Sequence, residues 1–223
     1  MKKLYMVSLG PGDAKLLTYK ALEAFKECDA ICVPTKSQDN SFTKSISYKI
    51  VSDALKILAI DKKIIPVYSP MRFDPKDWIA EAEVILKTSD TYDCVCFVTI
   101  GDAAIYSSIY YLLDIIKKEN YSLYKSCEII PGVTSFSAAS AEAQKALCLG
   151  DEALLIKPIN PRKKVQTTEV LMRPKLGMDT DSLGEGDFYT FENMYLDDAK
   201  VIPLKIAKVK KYMTLFINFA RRY

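Results

Sequence analysis

Three short stretches of the 223-residue chain combine glycine with small polar or acidic residues: Gly10-Pro11-Gly12-Asp13, Gly101-Asp102 and Pro131-Gly132-Val133-Thr134-Ser135. Each follows a short apolar run, so each reads as a turn at the end of a strand. Glycine there lets the backbone approach a ligand closely and leaves amides exposed as donors. In an open parallel sheet, ligands bind at the carboxyl ends of strands. Each stretch also has a plainer reading. Gly10-Pro11-Gly12 serves equally well as a tight turn, and Thr134 and Asp102 as helix caps. The chain has no histidine, which excludes Ser-His-Asp and Cys-His catalysis. Its six cysteines make no C-x2-C pair of the kind that holds zinc, and no metal site is expected. Cys94 and Cys96, inside a strand-like run, are expected on opposite faces, and all six thiols as reduced and buried.

The elements that must position these turns follow from hydrophobic spacing. Strands are expected at Lys3–Leu9, Ala30–Val33, Lys63–Tyr68 and Asp93–Ile100. Helices are expected after Thr18, over Ile46–Leu58, from Asp74-Pro75 to about Lys87, and over Ala103–Lys118. Asp74 followed by proline is a favoured helix start, and Trp78 or Ile79, Ala82 and Ile85 should be buried. The near-continuous apolar run at Asp93–Ile100 suits a strand covered on both faces. Alternating strands and helices imply a doubly wound, mainly parallel sheet. Further on, Glu128–Ile130, Ala153–Ile156, Val170–Met172, Phe188–Phe191 and Tyr212–Phe219 read as strands and Thr134–Ala146 as a small-residue helix. The fold class expected is therefore α/β with two domains. Residues 1–126 form the parallel α/β domain, and 127–223 a smaller mixed-sheet α+β domain.

Composition narrows the class. Apolar residues make up 49% and charged residues 26%, ordinary for a globular chain. A net charge of +3 is too mild to argue for nucleic acid. No apolar run reaches the ~18 residues of a membrane span, and the Gly10-Pro11 turn arrives too early for a signal peptide, so a cytoplasmic protein is expected. A nucleotide-dependent oxidoreductase would share the layout. It should show a full Gly-x-Gly-x-x-Gly and an acidic residue about 20 positions on, and the third glycine is missing.

Taken together the motifs carry more. Ser8-Leu9-Gly10-Pro11-Gly12-Asp13 with Leu16-Leu17-Thr18 and Ala21 resembles the opening motif of the tetrapyrrole (corrin and porphyrin) methylase family. Val98-Thr99-Ile100-Gly101-Asp102 with Ile105-Tyr106-Ser107 resembles its Gly-Asp-Pro loop, with Ala103 in place of the proline. Ile130-Pro131-Gly132-Val133-Thr134-Ser135-Phe136 resembles its third motif. Pro70-Met71-Arg72-Phe73-Asp74, the tryptophan helix after it, Tyr106-Ser107-Ser108 and the strand Tyr212–Ile217 look like the precorrin-2 C20-methyltransferase branch.

The resemblance implies S-adenosylmethionine (SAM) bound in a cleft between two domains, usually in a homodimer. It carries the cofactor contacts to Pro11, Ile100, Gly101, Asp102, Ile105, Thr134 and Ser135, and to Met172 in the second domain. It implies methyl transfer to the C20 meso carbon of precorrin-2 or cobalt-factor II in cobalamin biosynthesis. Asp102 and Tyr106 are the candidates for taking up the proton that the meso carbon loses. Lys36, Arg72 and Lys76, in loops after strands, are candidates for the substrate's carboxylates, though each could be a solvated surface charge. The family places helices where 157–169 and 173–187 are short. Two rivals follow: a sibling methylase acting at another carbon, and a non-catalytic tetrapyrrole-binding relative with a trimmed second domain.

Overall fold

The computed structural model describes residues 2–43, 45–158 and 166–220. They divide into two compact units after Leu154. The first unit is built on β1 (Lys3–Ser8), β2 (Ala30–Thr35), β3 (Lys63–Tyr68), β4 (Cys94–Thr99) and β5 (Cys127–Ile130). These run parallel in the order β3-β2-β4-β1-β5. Between and after them lie α1 (Tyr19–Glu27), α2 (Ile46–Leu58), α3 (Pro75–Thr91), α4 (Ile109–Glu119), α5 (Tyr121–Lys125) and α6 (Ser135–Ala143).

The period of two along a strand sorts the core into two layers. Tyr5 and Val7 of β1 pack with Ala21, Ala24 and Phe25 of α1 and Ile50, Val51 and Ala54 of α2. Leu4 and Met6 pack with Ala82 and Ile85 of α3 and Ile109, Leu112 and Ile116 of α4. The chain therefore steps from β1 out to β3 with its helices on one face, then back to β4 and β5 with helices on the other. Right-handed crossovers require that arrangement. It makes β2 and β4 neighbours whose connections diverge, and such a pair opens a crevice at its carboxyl ends.

Local signals set the helix starts. The Thr18 hydroxyl accepts the Ala21 amide at 3.2 Å, and the Asp74 carboxylate accepts the Lys76 amide at 3.0 Å with Pro75 in the first turn. Both side chains satisfy donors that have no partner within the helix. In α3, Ala82 and Ile85 are buried and Trp78 is half-buried, while Ile79 is exposed.

Several expectations need correction. The first unit runs to Leu154 rather than 126, because β5 pairs with β1 from Leu4↔Cys127 to Val7↔Ile130. The helix expected from Ala103 starts only at Ile109. Its would-be first turn spends its amides on side chains and a turn: Ala103 N on Ser8 Oγ, Ala104 N on Asp102 Oδ1 and Ile105 N on the Asp102 carbonyl. Residues 153–156 form no strand. Cys94 and Cys96 share a face, as residues two apart on a strand must, and both pack in the α1 layer beside Cys28. Cys148 is exposed rather than buried.

The second unit holds β6 (Glu169–Leu171), β7 (Asp187–Glu192), β8 (Lys200–Ile202) and β9 (Thr214–Phe219) in the order β6-β9-β7-β8. Its sheet is antiparallel throughout rather than mixed. Parallel pairing needs long crossovers, usually helical, and the described residues of this unit contain no α-helix, only a 3-10 turn at Asp181–Leu183. Its core is small: Phe188, Val209 and Phe216, with Leu171, Met178, Leu183 and Ile206 against them. Among the described residues no helix is long and apolar enough to cross a membrane.

Candidate functional site

The carboxyl ends of β1, β4 and β5 carry the three glycine turns, and hydrogen bonds join them. Leu9 N donates to Thr99 O at 2.8 Å. Gly10 and Gly101 then exchange both of their backbone bonds, at 3.1 and 2.8 Å. Both glycines have positive φ, 71° and 76°, a region that disfavours residues with a Cβ. The third turn is pressed against this bridge. A Cβ on Gly132 would stand 2.6 Å from Ser8 Cβ and 2.9 Å from Gly101 O.

Asp102 ties the second turn to the third. Its Oδ1 accepts Ala104 N at 2.6 Å and its Oδ2 accepts Gly132 N at 3.0 Å. From below, the buried Ser8 hydroxyl accepts Ala103 N at 2.9 Å. On the outer side the backbone is open: a Cβ at Gly12 or Gly101 would meet nothing within 4 Å. Beside Gly101, Ile100 and Ile105 leave 45% and 37% of their surface exposed, large fractions for isoleucines in a turn tied down on its inner side. Thr134 caps α6, its hydroxyl accepting Ser137 N at 3.3 Å, and Ser135 is the exposed first residue of that helix.

The fold thus joins the loops that carry Pro11, Ile100, Gly101, Asp102, Ile105, Thr134 and Ser135. Met172 lies in the other unit, exposed, directly after β6. Tyr106 is exposed with φ 53°.

The ends of β2 and β3 carry the expected substrate cations. Lys36 is exposed after β2. Lys76 is exposed in the first turn of α3, not in a loop. Arg72 already has a carboxylate: its Nε and Nη2 donate to the two oxygens of Asp77 at 3.1 and 2.8 Å. Next to it, Phe73 meets Trp78 and Tyr111 edge-on, at 4.9 and 5.7 Å, and Trp78 stacks on Tyr111 at 4.0 Å.

One ionisable residue of this edge was missed by sequence reasoning. Glu81 in α3 is 3% exposed and accepts the Ser69 hydroxyl at 2.8 Å. Burial pushes its carboxyl up to about 7, with the Ser69 hydrogen bond opposing the rise and Asp77 adding to it. The available signal was its position, three residues after Trp78 and beside Ala82, on the face of α3 that the apolar spacing sends inward.

A family model of tetrapyrrole (corrin/porphyrin) methylases matches residues 3–178, a span that includes all three turns. The chain belongs to the tetrapyrrole methylase family. Over 158 residues it is 35% identical to a Methanocaldococcus jannaschii protein named "Probable cobalt-precorrin-2 C(20)-methyltransferase", with 71% of this chain and 64% of the relative covered. Over 158 residues it is 28% identical to the cobalt-precorrin-2 C(20)-methyltransferase of Salmonella typhimurium, with 69% and 62% covered. The match therefore spans a little under two thirds of these relatives' own length. The structure of the native uroporphyrin III C-methyl transferase from Thermus thermophilus shares the fold at a TM-score of 0.51 and 16% identity, with 96% of each chain covered.

Proposed function

We propose that the protein is a SAM-dependent C-methyltransferase acting on the C20 meso carbon of precorrin-2 or its cobalt-bound form, in corrin-ring biosynthesis. The observation that carries this reading is the 35% identity to a relative named "Probable cobalt-precorrin-2 C(20)-methyltransferase", within a family match that spans all three joined turns.

The turns fit the cofactor. SAM combines a flat apolar base, a charged amino acid end and a sulfonium. The open face of Gly101 lets backbone come close, and Ile100 and Ile105 offer apolar surface on either side. Pro11, Thr134 and Ser135 complete the set within the first unit. When bound, SAM supplies a methyl group activated by its sulfonium.

The reduced tetrapyrrole brings an electron-rich carbon, so the chain need not generate a strong nucleophile. Its task is orientation, which can be worth about 7 kcal/mol or more when the reacting atoms are held in near-attack geometry. Of the two residues expected to accept the meso proton, Asp102 has both oxygens engaged by loop amides, so it positions the turns. The exposed Tyr106 hydroxyl is the one that relays the proton towards solvent. Lys36 and Lys76 meet substrate carboxylates, and Arg72 does so while remaining on Asp77. The chain works as a homodimer in the cytoplasm.

Incubation with SAM carrying a 13C-labelled methyl and each candidate tetrapyrrole, followed by NMR of the product, tests the reading. Label at C20 supports it. Label at another carbon identifies a sibling methylase. Tetrapyrrole binding without transfer identifies a non-catalytic relative.

A further inference from the structure

The segment 69–74 joins the carboxyl end of β3 to the start of α3 and is anchored at Ser69. The Ser69 amide donates to the Thr35 carbonyl of β2 at 2.7 Å, and its hydroxyl donates to Glu81 at 2.8 Å. Beyond that anchor the segment turns through Met71, with φ 58°, and presents Met71, Arg72 and Phe73 to solvent. Glu81 is unusual for an acidic residue of a surface helix. It points into the protein, and its second carboxyl oxygen is buried without a hydrogen-bond partner. Burying a polar group without a partner costs free energy, and an acid that served only solubility would sit on the outer face.

We infer that Glu81 is a positioning residue: through Ser69 it sets the place of the 69–74 segment, and with it the affinity for the tetrapyrrole. What the segment touches rests on the function proposed above. The link between Glu81 and the segment does not.

The surroundings make this link sensitive to pH. Val67 of β3, Val95 and Phe97 of β4, and Ile109, Leu112 and Leu113 of α4 share a core cluster with Ala82 and Ile85 of α3. Asp77, one turn earlier in α3, is the charge that acts on Glu81. Asp77 is held by Arg72, near which Tyr68 and Asp74 also lie. A carboxyl in this setting exchanges its proton near neutrality, where burial has pushed it up to about 7. The neutral acid fits the apolar layer. The ionised form buries a charge there that the single Ser69 hydrogen bond offsets only in part, and the segment must loosen to admit water. Tetrapyrrole affinity therefore falls as pH rises through about 7.

The chain's one tryptophan reports on this without any ligand, because Trp78 contacts Phe73 of the segment. The experiment follows Trp78 fluorescence from about pH 5.5 to about pH 8.5 in wild type, Glu81→Gln and Ser69→Ala. Over the same range the dissociation constants of precorrin-2 and of SAM are measured. Glu81→Gln keeps a partner for Ser69 but cannot ionise. The expected result is a fluorescence step centred near pH 7 in wild type and none in Glu81→Gln. Precorrin-2 should bind wild type about tenfold more weakly at the high end, a change of about 1.4 kcal/mol, and bind Glu81→Gln equally at both ends. Ser69→Ala should weaken precorrin-2 at every pH, and SAM affinity should not move. A fluorescence step that persists in Glu81→Gln, or identical precorrin-2 profiles in the two proteins, would overturn the inference. If wild type binds no tetrapyrrole at all, the proposed function fails, and the fluorescence comparison alone still decides the coupling.

Discussion

Two loop regions on the carboxyl edge of the same sheet are held in different ways. The glycine turns after β1, β4 and β5 are fastened through their own backbone amides: Gly10 and Gly101 exchange bonds with each other, and the Gly132 and Ala103 amides donate to the side chains of Asp102 and Ser8. The 69–74 segment after β3 is held largely by side chains: Ser69 on Glu81, Arg72 on Asp77, Phe73 against Trp78 and Tyr111. The Gly10–Gly101 exchange uses no side chain and leaves little room for substitution. Side-chain bonds can be tuned by sequence and, at Glu81, by protons. Under the proposed function, the cofactor meets the first construction and the tetrapyrrole the second.

The largest effect expected from this contrast is at Gly132. An alanine methyl would need space held by Ser8 Cβ and the Gly101 carbonyl, and overpacking of this kind costs about 1–3 kcal/mol. Gly132→Ala should lower thermal stability and weaken SAM at least about 100-fold by calorimetry, or about 2.7 kcal/mol. Unchanged SAM affinity would show that the join between the turns does not shape the cofactor site.

Glu81→Gln should have the next largest effect, and with a pH signature. The folded protein raises this carboxyl from 4.5 to about 7. The proton it holds therefore stabilises the fold fully below about pH 4.5, and that contribution is lost as pH rises to about 7. At pH 8 the wild type carries the whole cost of the buried charge. Glutamine should then be more stable by about 2–3 kcal/mol in denaturant unfolding, with no gain near pH 4.5. A pH-independent difference would mean that the carboxyl is not buried as described.

Asp102→Asn keeps one acceptor oxygen and turns the other into a donor facing an amide. Leaving a part-buried amide unsatisfied costs about 1–3 kcal/mol, so SAM affinity should fall about tenfold while precorrin-2 affinity holds. An effect confined to turnover would instead make Asp102 the proton acceptor. The smallest effect is expected at Arg72. In its pair with Asp77, 64% of the Arg72 side-chain surface is open against 12% of Asp77's, and an ion pair with one partner in solvent contributes little. Arg72→Ala should leave stability unchanged and raise the Michaelis constant for the tetrapyrrole only a few-fold. Wild-type kinetics would remove Arg72 from the site.

Much of the first unit is legible in the chain because short-range signals agree with long-range ones. The bounds of α2 and β3, the Thr18 and Asp74 caps and the doubly covered β4 all follow from spacing, proline and capping chemistry. The turns are legible as well: the first two carry glycines with positive φ, and the third a Pro-Gly pair, all of which mark the sequence. Their joining is not, because the Asp102–Gly132 bond spans thirty residues and has no local pattern. No helix starts at Ala103 because Tyr106, three residues on, takes φ 53°, outside the helical region. Strand β8 and the antiparallel order of the second unit depend on pairing partners that no short window contains. Glu81 escaped notice because acidic residues in helices are ordinarily solvated, and only the apolar layers from β3, β4 and α4 around its helix make this one exceptional.

The most direct test of the account is a titration of isotopically labelled protein with SAM, followed through backbone amide shifts. The prediction is that amides of residues 10, 12–13, 100–105 and 132–135 move together with one dissociation constant, while those of 69 and 71–74 stay in place until tetrapyrrole is added. SAM binding that leaves the Gly10, Gly101 and Gly132 amides unmoved would contradict it.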